Sequence, residues 1–312
     1  MQKKKSQHFV SQFYLKAWSA CGEKVYTNIN NAPVLKSTKQ VACSNYFYKI
    51  DKINKSGFEI LLGLNEKTVF PLKGLFEKLI YCSYMFSLAE LIDLDEQDTK
   101  RLDAFRTNII EDFYCIIENG ALEAIDIILN KKYDSFDLNG YQDMLRFAVY
   151  QLTRTSKTRE NIRVNIQGAL ESKGIDFKEY QTISTLLLSE QITLALIEKL
   201  YKIVIIENKT NVDFITSDNP VKNLRSVDEH DVELFVPISP TMAILIMPSE
   251  KSQEEKDSIK QLLLKSEAIP NYYFGFKDEC SVGEIENINK LTSSNKERFI
   301  FTLKAEDVTK YQ

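Results

Sequence analysis

The spacing of apolar residues divides the chain into three parts. From Phe58 to about Leu200 they recur at i, i+3 and i+4, the period of helices with one buried face. Val69 to Ile92 carries this pattern, with Pro71 tolerable near its start. Asp95, Glu96 and Asp98 open the next helix by putting negative charge at the positive end of its dipole. It continues through Leu102, Phe105, Ile109, Ile110 and Phe113 until Asn119-Gly120 interrupts it. Asn139-Gly140 predicts a turn before one long helix, Tyr141 to roughly Ser172, which Lys173-Gly174 ends. Lys178 to Lys199 supplies another, and no repeat of fixed period runs through these helices.

The flanking parts read differently. Before the helices, His8 to Trp18 forms a helical turn with Phe9, Phe13, Leu15 and Trp18 on one side, and so many aromatics near a terminus imply that it is tied down. Lys24–Ile29 alternates as a strand, Asn28 to Pro33 is turn-rich, and Val41 to Ile50 holds a second extended aromatic piece. After the helices, the β-leaning run Tyr201 to Glu207 meets a polar break at Asn208 to Asn211 that reads as a hairpin turn. The next strand ends abruptly in Thr216-Ser217-Asp218-Asn219-Pro220. Leu234 to Pro240 and Met242 to Met247 read as antiparallel strands with prolines at ends or edges. Ser249 to Lys265 is a charged helix, Tyr272 to Phe276 a short strand, Glu284 to Lys296 a helix and Arg298 to Leu303 a final strand, followed by a polar tail expected to fray.

These elements predict an α+β fold: an antiparallel sheet, mainly from the C-terminal half, packed against a central helical bundle. One domain over 1–312 is expected, with an N-terminal aromatic and β segment (1–57), a helical region (58–200) and a sheet-rich region (201–303). The aromatic segment should pack beside the sheet and bring His8 toward Asp218.

Composition narrows the classes. The net charge of −4 argues against a wholly basic nucleic-acid coat but leaves room for a local basic groove. The five cysteines are odd in number and none has Cys-x-x-Cys spacing, which fits free thiols in a reducing cytosol better than a disulfide or zinc framework. No apolar run approaches the ~18 residues of a membrane span. The basic start, Met1 to Lys5, leads into Ser6-Gln7-His8 and not into an apolar signal core, so the expected location is cytoplasmic.

Three places carry candidate chemistry. His8 is either a capping or core histidine or a site residue. On the Tyr141–Ser172 helix, Arg154, Lys157, Arg159 and Arg163 form either a solvated basic face or an anion contact, with Arg154 as a planar charged fork. Asp218 and Asn219 either shape an Asx-turn or leave Asp218 as a general base, metal ligand or hydroxyl clamp.

The order of these pieces resembles a bacterial family, the domain of unknown function 4238. Its opening His-x-Val-Pro-x-x-(Tyr/Phe)-Leu-x-x-Phe segment is similar to His8 through Trp18, with Ser11 where the proline usually stands and Trp18 for the last Phe. Its Gln-x-x-Arg-Thr matches Gln151, Arg154 and Thr155, and its Thr-Ser-Asp-Asn-Pro matches Thr216 to Pro220. Pro237 to Pro240 and the pair Asn289 and Arg298 complete the series over nearly the whole chain. The resemblance implies no activity, but it proposes that His8, Gln12, Gln151, Arg154, Asp218, Asn219, Asn289 and Arg298 converge.

Two functions follow. A nuclease-like phosphodiesterase acting on RNA or another phosphate-bearing substrate, in a bacterial defence or toxin setting, would use His8 as acid or base and Arg154 or Arg298 to stabilise phosphate charge. Asp218 would orient His8 or the attacking hydroxyl, Gln12, Gln151, Asn219 and Asn289 would bind substrate, and neither cofactor nor metal is expected. The alternative is a non-enzymatic ligand- or partner-binding module in which the same polar residues form a buried network. A metal-dependent nuclease recruiting Glu111 and Asp112 is disfavoured, and no phosphate-binding glycine loop or Gly-x-Ser-x-Gly elbow is present.

Overall fold

The computed structural model describes residues 2–69, 72–89, 92, 94–225, 231–263, 274–277 and 280–312. Pro71, the end of the expected charged helix at Leu264 and Lys265, and the start of the expected short strand at Tyr272 and Tyr273 lie outside the described residues. The fold is α+β. The chain divides into two compact units, each gathered from three stretches. Unit 1 comprises Met1–Gln7, Ser44–Ile116 and Ser156–Ile192; unit 2 comprises His8–Cys43, Ile117–Thr155 and Thr193–Gln312.

Unit 1 is helical. Its elements include Lys55–Asn65, Leu72–Ala89, the first part of Glu96–Leu129, Ser156–Glu171 and most of Phe177–Glu198. Asn54 caps the first by accepting from the Gly57 amide at 2.8 Å, and Asp95 caps the third by accepting from the Asp98 amide at 2.7 Å. The basic start is used locally: Lys4 pairs with Asp112 at 2.5 Å and Lys3 pairs with Asp103.

Unit 2 holds both larger sheets. One has the strand order Phe274–Lys277, Lys202–Glu207, Met242–Met247, Leu234–Ser239, Lys222–Asn223, antiparallel except for its first pair, which is parallel. The other runs Ala32–Ser37, Lys24–Ile29, Ile300–Thr302, Thr216–Ser217, antiparallel throughout. Asn30 and Asn31, both at positive φ (50° and 59°), join its first two strands in a two-residue turn of the type that matches strand twist. The N-terminal β-segment is therefore an integral half of a sheet closed by the last strand of the chain.

Several expected boundaries move, each for a physical reason. Tyr201–Glu207 and the 216–220 strand do not form a hairpin. Lys202–Glu207 pairs with Met242–Met247, while Thr216–Ser217 pairs with Ile300 and Phe301 in the other sheet. Between them Asn208 donates to Val212 O at 2.7 Å and Phe214 N donates to Pro240 O at 2.8 Å, so the chain crosses between sheets under its own hydrogen bonds.

Asn119-Gly120 does not break a helix: Glu96–Leu129 runs through it. A Cβ on Gly120 would lie 2.6 Å from Asp143 Oδ2, so the glycine serves close helix approach. The long helix expected from Tyr141 to Ser172 is instead two, Leu138–Thr153 and Ser156–Glu171, the first capped by Asp137 accepting from the Gly140 amide at 2.8 Å. The strand expected around Tyr46 ends at Asn45, because Tyr46 turns the chain at φ 56°.

The C-terminal tail does not fray. Ala305–Lys310 is a helix, and Val308 and Tyr311 join Ile215 and Ile300 in a buried cluster. Pro237 sits inside a strand, but among the described residues the neighbouring Lys222–Asn223 pairs with Leu234 and Phe235 and does not reach it.

Candidate functional site

The aromatic segment His8 to Trp18 is tied down within unit 2 by its ring polar atoms. Gln12–Leu15 is one helical turn, followed by a tighter turn at Lys16–Trp18. The Tyr14 hydroxyl donates to Pro237 O at 2.6 Å and lies 2.7 Å from Thr216 Oγ1, and Trp18 Nε1 donates to Phe214 O at 3.1 Å. Burial holds the Tyr14 phenol well above its ordinary value, so it stays neutral. The segment is thereby fixed against the strand end that carries the Thr-Ser-Asp-Asn-Pro motif. The rings of Phe13 and Tyr14 also meet Phe147 on the Leu138–Thr153 helix, at 5.6 and 6.1 Å.

That helix ends at Arg154, and the ending is what aims the guanidinium. From this capping position Arg154 donates through Nη1 to Glu118 Oε1 at 2.8 Å and through Nη2 to Gln151 Oε1 at 2.8 Å and to Ser11 Oγ. Gln151 Nε2 donates to Phe9 O at 2.8 Å, and its Oε1 also accepts from Ser11 N at 3.3 Å. Ser11 Oγ donates to Glu118 Oε1 at 2.8 Å. Ser11 stands where the family pattern usually has proline, and here both its amide and its hydroxyl are in use. The next residue after Arg154, Thr155, donates through Oγ1 to Asn219 Oδ1 at 3.2 Å. Gln151, Arg154 and Thr155 thus tie one helix end to three other segments: the Phe9–Ser11 stretch, the helix that carries Glu118, and the strand end at Asn219.

Asp218 closes the second knot. Its Oδ1 accepts from the Glu297 amide at 2.9 Å, and its Oδ2 accepts from the amides of Arg298 at 2.7 Å and Phe299 at 2.9 Å. Asn28 works from the other side, donating to Arg298 O at 3.0 Å and accepting from Ile300 N at 2.8 Å. The Arg298 side chain itself is exposed. Asn219 also donates to Asn295 O at 3.4 Å, and buried Lys222 donates to Asn219 O. Asn289, fully buried, donates to Asp213 O at 2.8 Å and accepts from Ile215 N at 3.1 Å, standing in for a strand partner.

Of the predicted site residues, the structure brings Gln151 and Arg154 together, with His8 within electrostatic reach. His8 is half-buried, and its imidazole is held below its ordinary value by burial first. The Thr38 carbonyl and the Glu118 charge oppose that shift, and the Arg154 charge adds to it. Gln12 lies against Thr38, its Nε2 3.4 Å from Oγ1. Asn219 meets the same helix end through Thr155, Asp218 holds the Arg298 backbone with its carboxylate occupied by amides, and Asn289 bonds to the backbone of Asp213 and Ile215.

Of the basic residues from Arg154 to Arg163, Arg154 and Arg159 are buried and so belong to no solvated face. Arg154 belongs to unit 2. In unit 1 Arg159 donates to Phe47 O at 2.9 Å and lies over the Phe47 ring at 4.3 Å, and Arg163 pairs with Glu160. Among the described residues no group of three or more His, Cys, Asp or Glu could hold a metal ion, and no helix is long and apolar enough to cross a membrane. Glu118, Lys222 and Asn28 were not marked by spacing or motif. Glu118 lies 36 residues from Arg154 and Asn28 lies 270 from Arg298, beyond any local signal.

The features define an α+β protein whose motif side chains lock helix ends to strand ends. The chain belongs to the family described as Protein of unknown function (DUF4238), which matches residues 6–306. No curated protein matches it, and no solved structure does.

Proposed function

We propose that the chain is a non-enzymatic ligand- or partner-binding module in which the family's polar residues are its internal framework. The observation that carries this reading is the direction of Arg154. Its side chain is 2% exposed and both terminal nitrogens are committed to Glu118, Gln151 and Ser11. A phosphoryl site needs donors aimed at where charge develops in a substrate. These donors are aimed at the protein, and so is the carboxylate of Asp218. The free cysteines support a reducing, cytoplasmic setting.

The test is incubation of the purified chain with total RNA, tRNA and single-stranded DNA, with and without EDTA, beside His8→Ala. The expected result is no cleavage that depends on His8. Cleavage that survives EDTA and vanishes in His8→Ala would replace this reading with the nuclease-like phosphodiesterase. One observation favours that second reading: the half-buried imidazole is held toward its neutral form, which a general base requires.

A further inference from the structure

We infer that unit 1 carries a binding site for an amphipathic anion, a small carboxylate with an acyl or aryl body, with Arg106 receiving the carboxylate. The inference rests on the binding-module reading and names a ligand class for it. Its test reads binding at unit 1 residues, whereas that reading falls if cleavage depends on His8, so the two failures are distinguishable.

The pocket lies beside Lys3, between the end of the helix Leu72–Ala89 and the start of Glu96–Leu129, all of its lining being in unit 1. Its volume is about 510 Å³, within the ~300–1,000 Å³ of small-molecule sites. Phe86, Ala89, Ile92, Leu94 and Leu102 supply apolar lining for a ligand body. The charged lining sets the sign of the head: Lys3, Lys100 and Arg106 against one carboxylate, Asp103. That carboxylate is already answered, with Lys49 Nζ 2.7 Å from Oδ1 and Lys3 paired with Oδ2. Lys3 first, then Lys49, holds the Asp103 carboxyl below the ordinary carboxylate range. Lys100 pairs with Glu96 at 2.5 Å, but both side chains are largely exposed, so a ligand competes readily for that lysine.

Arg106 is the anchor. Its Nε donates to Ile50 O at 2.9 Å, its Nη2 donates to Asp51 Oδ1 at 3.3 Å, and the guanidinium lies over the Phe86 ring at 5.3 Å. These contacts hold the fork in place while the side chain keeps 17% of its surface exposed. Its Nη1 meets no hydrogen-bond partner among the described residues, and it is not among the nitrogens sealed from solvent. A fixed guanidinium with open N–H groups is matched to a carboxylate, and such charge-assisted bonds are stronger than neutral ones. The body of the ligand follows from what the lining lacks. Thr99 is the one neutral polar side chain among the described lining residues, and its hydroxyl already donates to Asp95 O at 2.9 Å. The hydroxyls of a sugar or a nucleotide would go unmet there, which favours an acyl or aryl body.

The experiment uses the full chain with ¹³C-labelled Ala, Ile and Leu methyl groups, titrated with octanoate, octan-1-ol and octylammonium. Octanoate is expected to shift the methyls of Ala89, Ile92, Leu94 and Leu102 and to bind about tenfold more tightly than octan-1-ol, with the preference shrinking as salt is added. Octylammonium should bind no better than octan-1-ol. Arg106→Gln should weaken octanoate about tenfold and leave octan-1-ol unchanged. Ile92→Asp, at a residue 62% exposed, should weaken octanoate and octan-1-ol together without lowering the melting temperature. Absence of shifts at millimolar octanoate, equal binding of octanoate and octan-1-ol, or shifts confined to methyls outside the lining would overturn the proposal. Should Arg106→Gln fail to fold, the octanoate preference of the unaltered chain and the Ile92→Asp result decide it.

Discussion

Asp218 contacts Arg298 through the backbone: its Oδ2 accepts from the Arg298 amide at 2.7 Å, while the Arg298 side chain stays exposed. Two residues that the sequence assigns separate roles at one phosphate site are joined instead by a carboxylate clamp on the backbone. Asp218→Asn replaces one acceptor oxygen with a donor facing an amide, in a side chain that is 2% exposed. It should cost about 3 kcal/mol in urea denaturation, the value of a charged hydrogen-bond acceptor lost in the interior. Arg298→Ala should stay within about 0.5 kcal/mol of the parent, as exposed substitutions do. Comparable losses from both would mean that the guanidinium takes part.

The approach of Gly120 to Asp143 gives a second prediction. Gly120→Ala gains about 1 kcal/mol of helix propensity. The new Cβ would meet Asp143 Oδ2 at 2.6 Å, so the carboxylate must move. Burial already pushes the Asp143 carboxyl up, and the neighbouring Arg146 opposes that shift. Gly120→Ala should therefore destabilise by about 1–2 kcal/mol. Adding Asp143→Ala should recover the loss, as measured by thermal melts of the single and double variants. A stabilised single variant would show that the contact is slack.

His8 predicts a pH dependence with a definite sign. Its folded value lies below the ordinary 6.5, chiefly through burial. The unfolded chain therefore takes up a proton more readily than the folded one. The contribution of His8 is complete above 6.5 and is lost as the pH falls from there through the lowered folded value. Between pH ~7.5 and ~5.5 the parent should lose more stability than His8→Gln, which cannot titrate. Equal losses would mean that the imidazole is solvated.

Much of the fold is legible along the chain because it is local. Period marks the helical stretch from Phe58 onward, the acidic opening marks the helix that Asp95 caps, and alternation marks the strands Lys24–Ile29 and Met242–Met247. What stays hidden is set by distant partners. Nothing near Gly120 announces Asp143, and nothing near Thr216 announces its pairing with Phe301. The tail reads as polar, yet Val308 and Tyr311 find a core formed by Ile215 and Ile300. The candidate site shows the same limit. The motif residues are visible as residues, but Glu118, which receives Arg154, carries no signal of its own.

The most direct measurement is the unfolding free energy of Arg154→Ala beside His8→Ala. Removing Arg154 leaves Glu118, Gln151 and Ser11 without their shared donor. The loss should be about 2–3 kcal/mol, below that of a wholly buried pair because Glu118, 22% exposed, can reach water. His8→Ala should lose clearly less. Unchanged stability in Arg154→Ala would contradict the framework assignment and return Arg154 to the role of a residue that waits for a ligand.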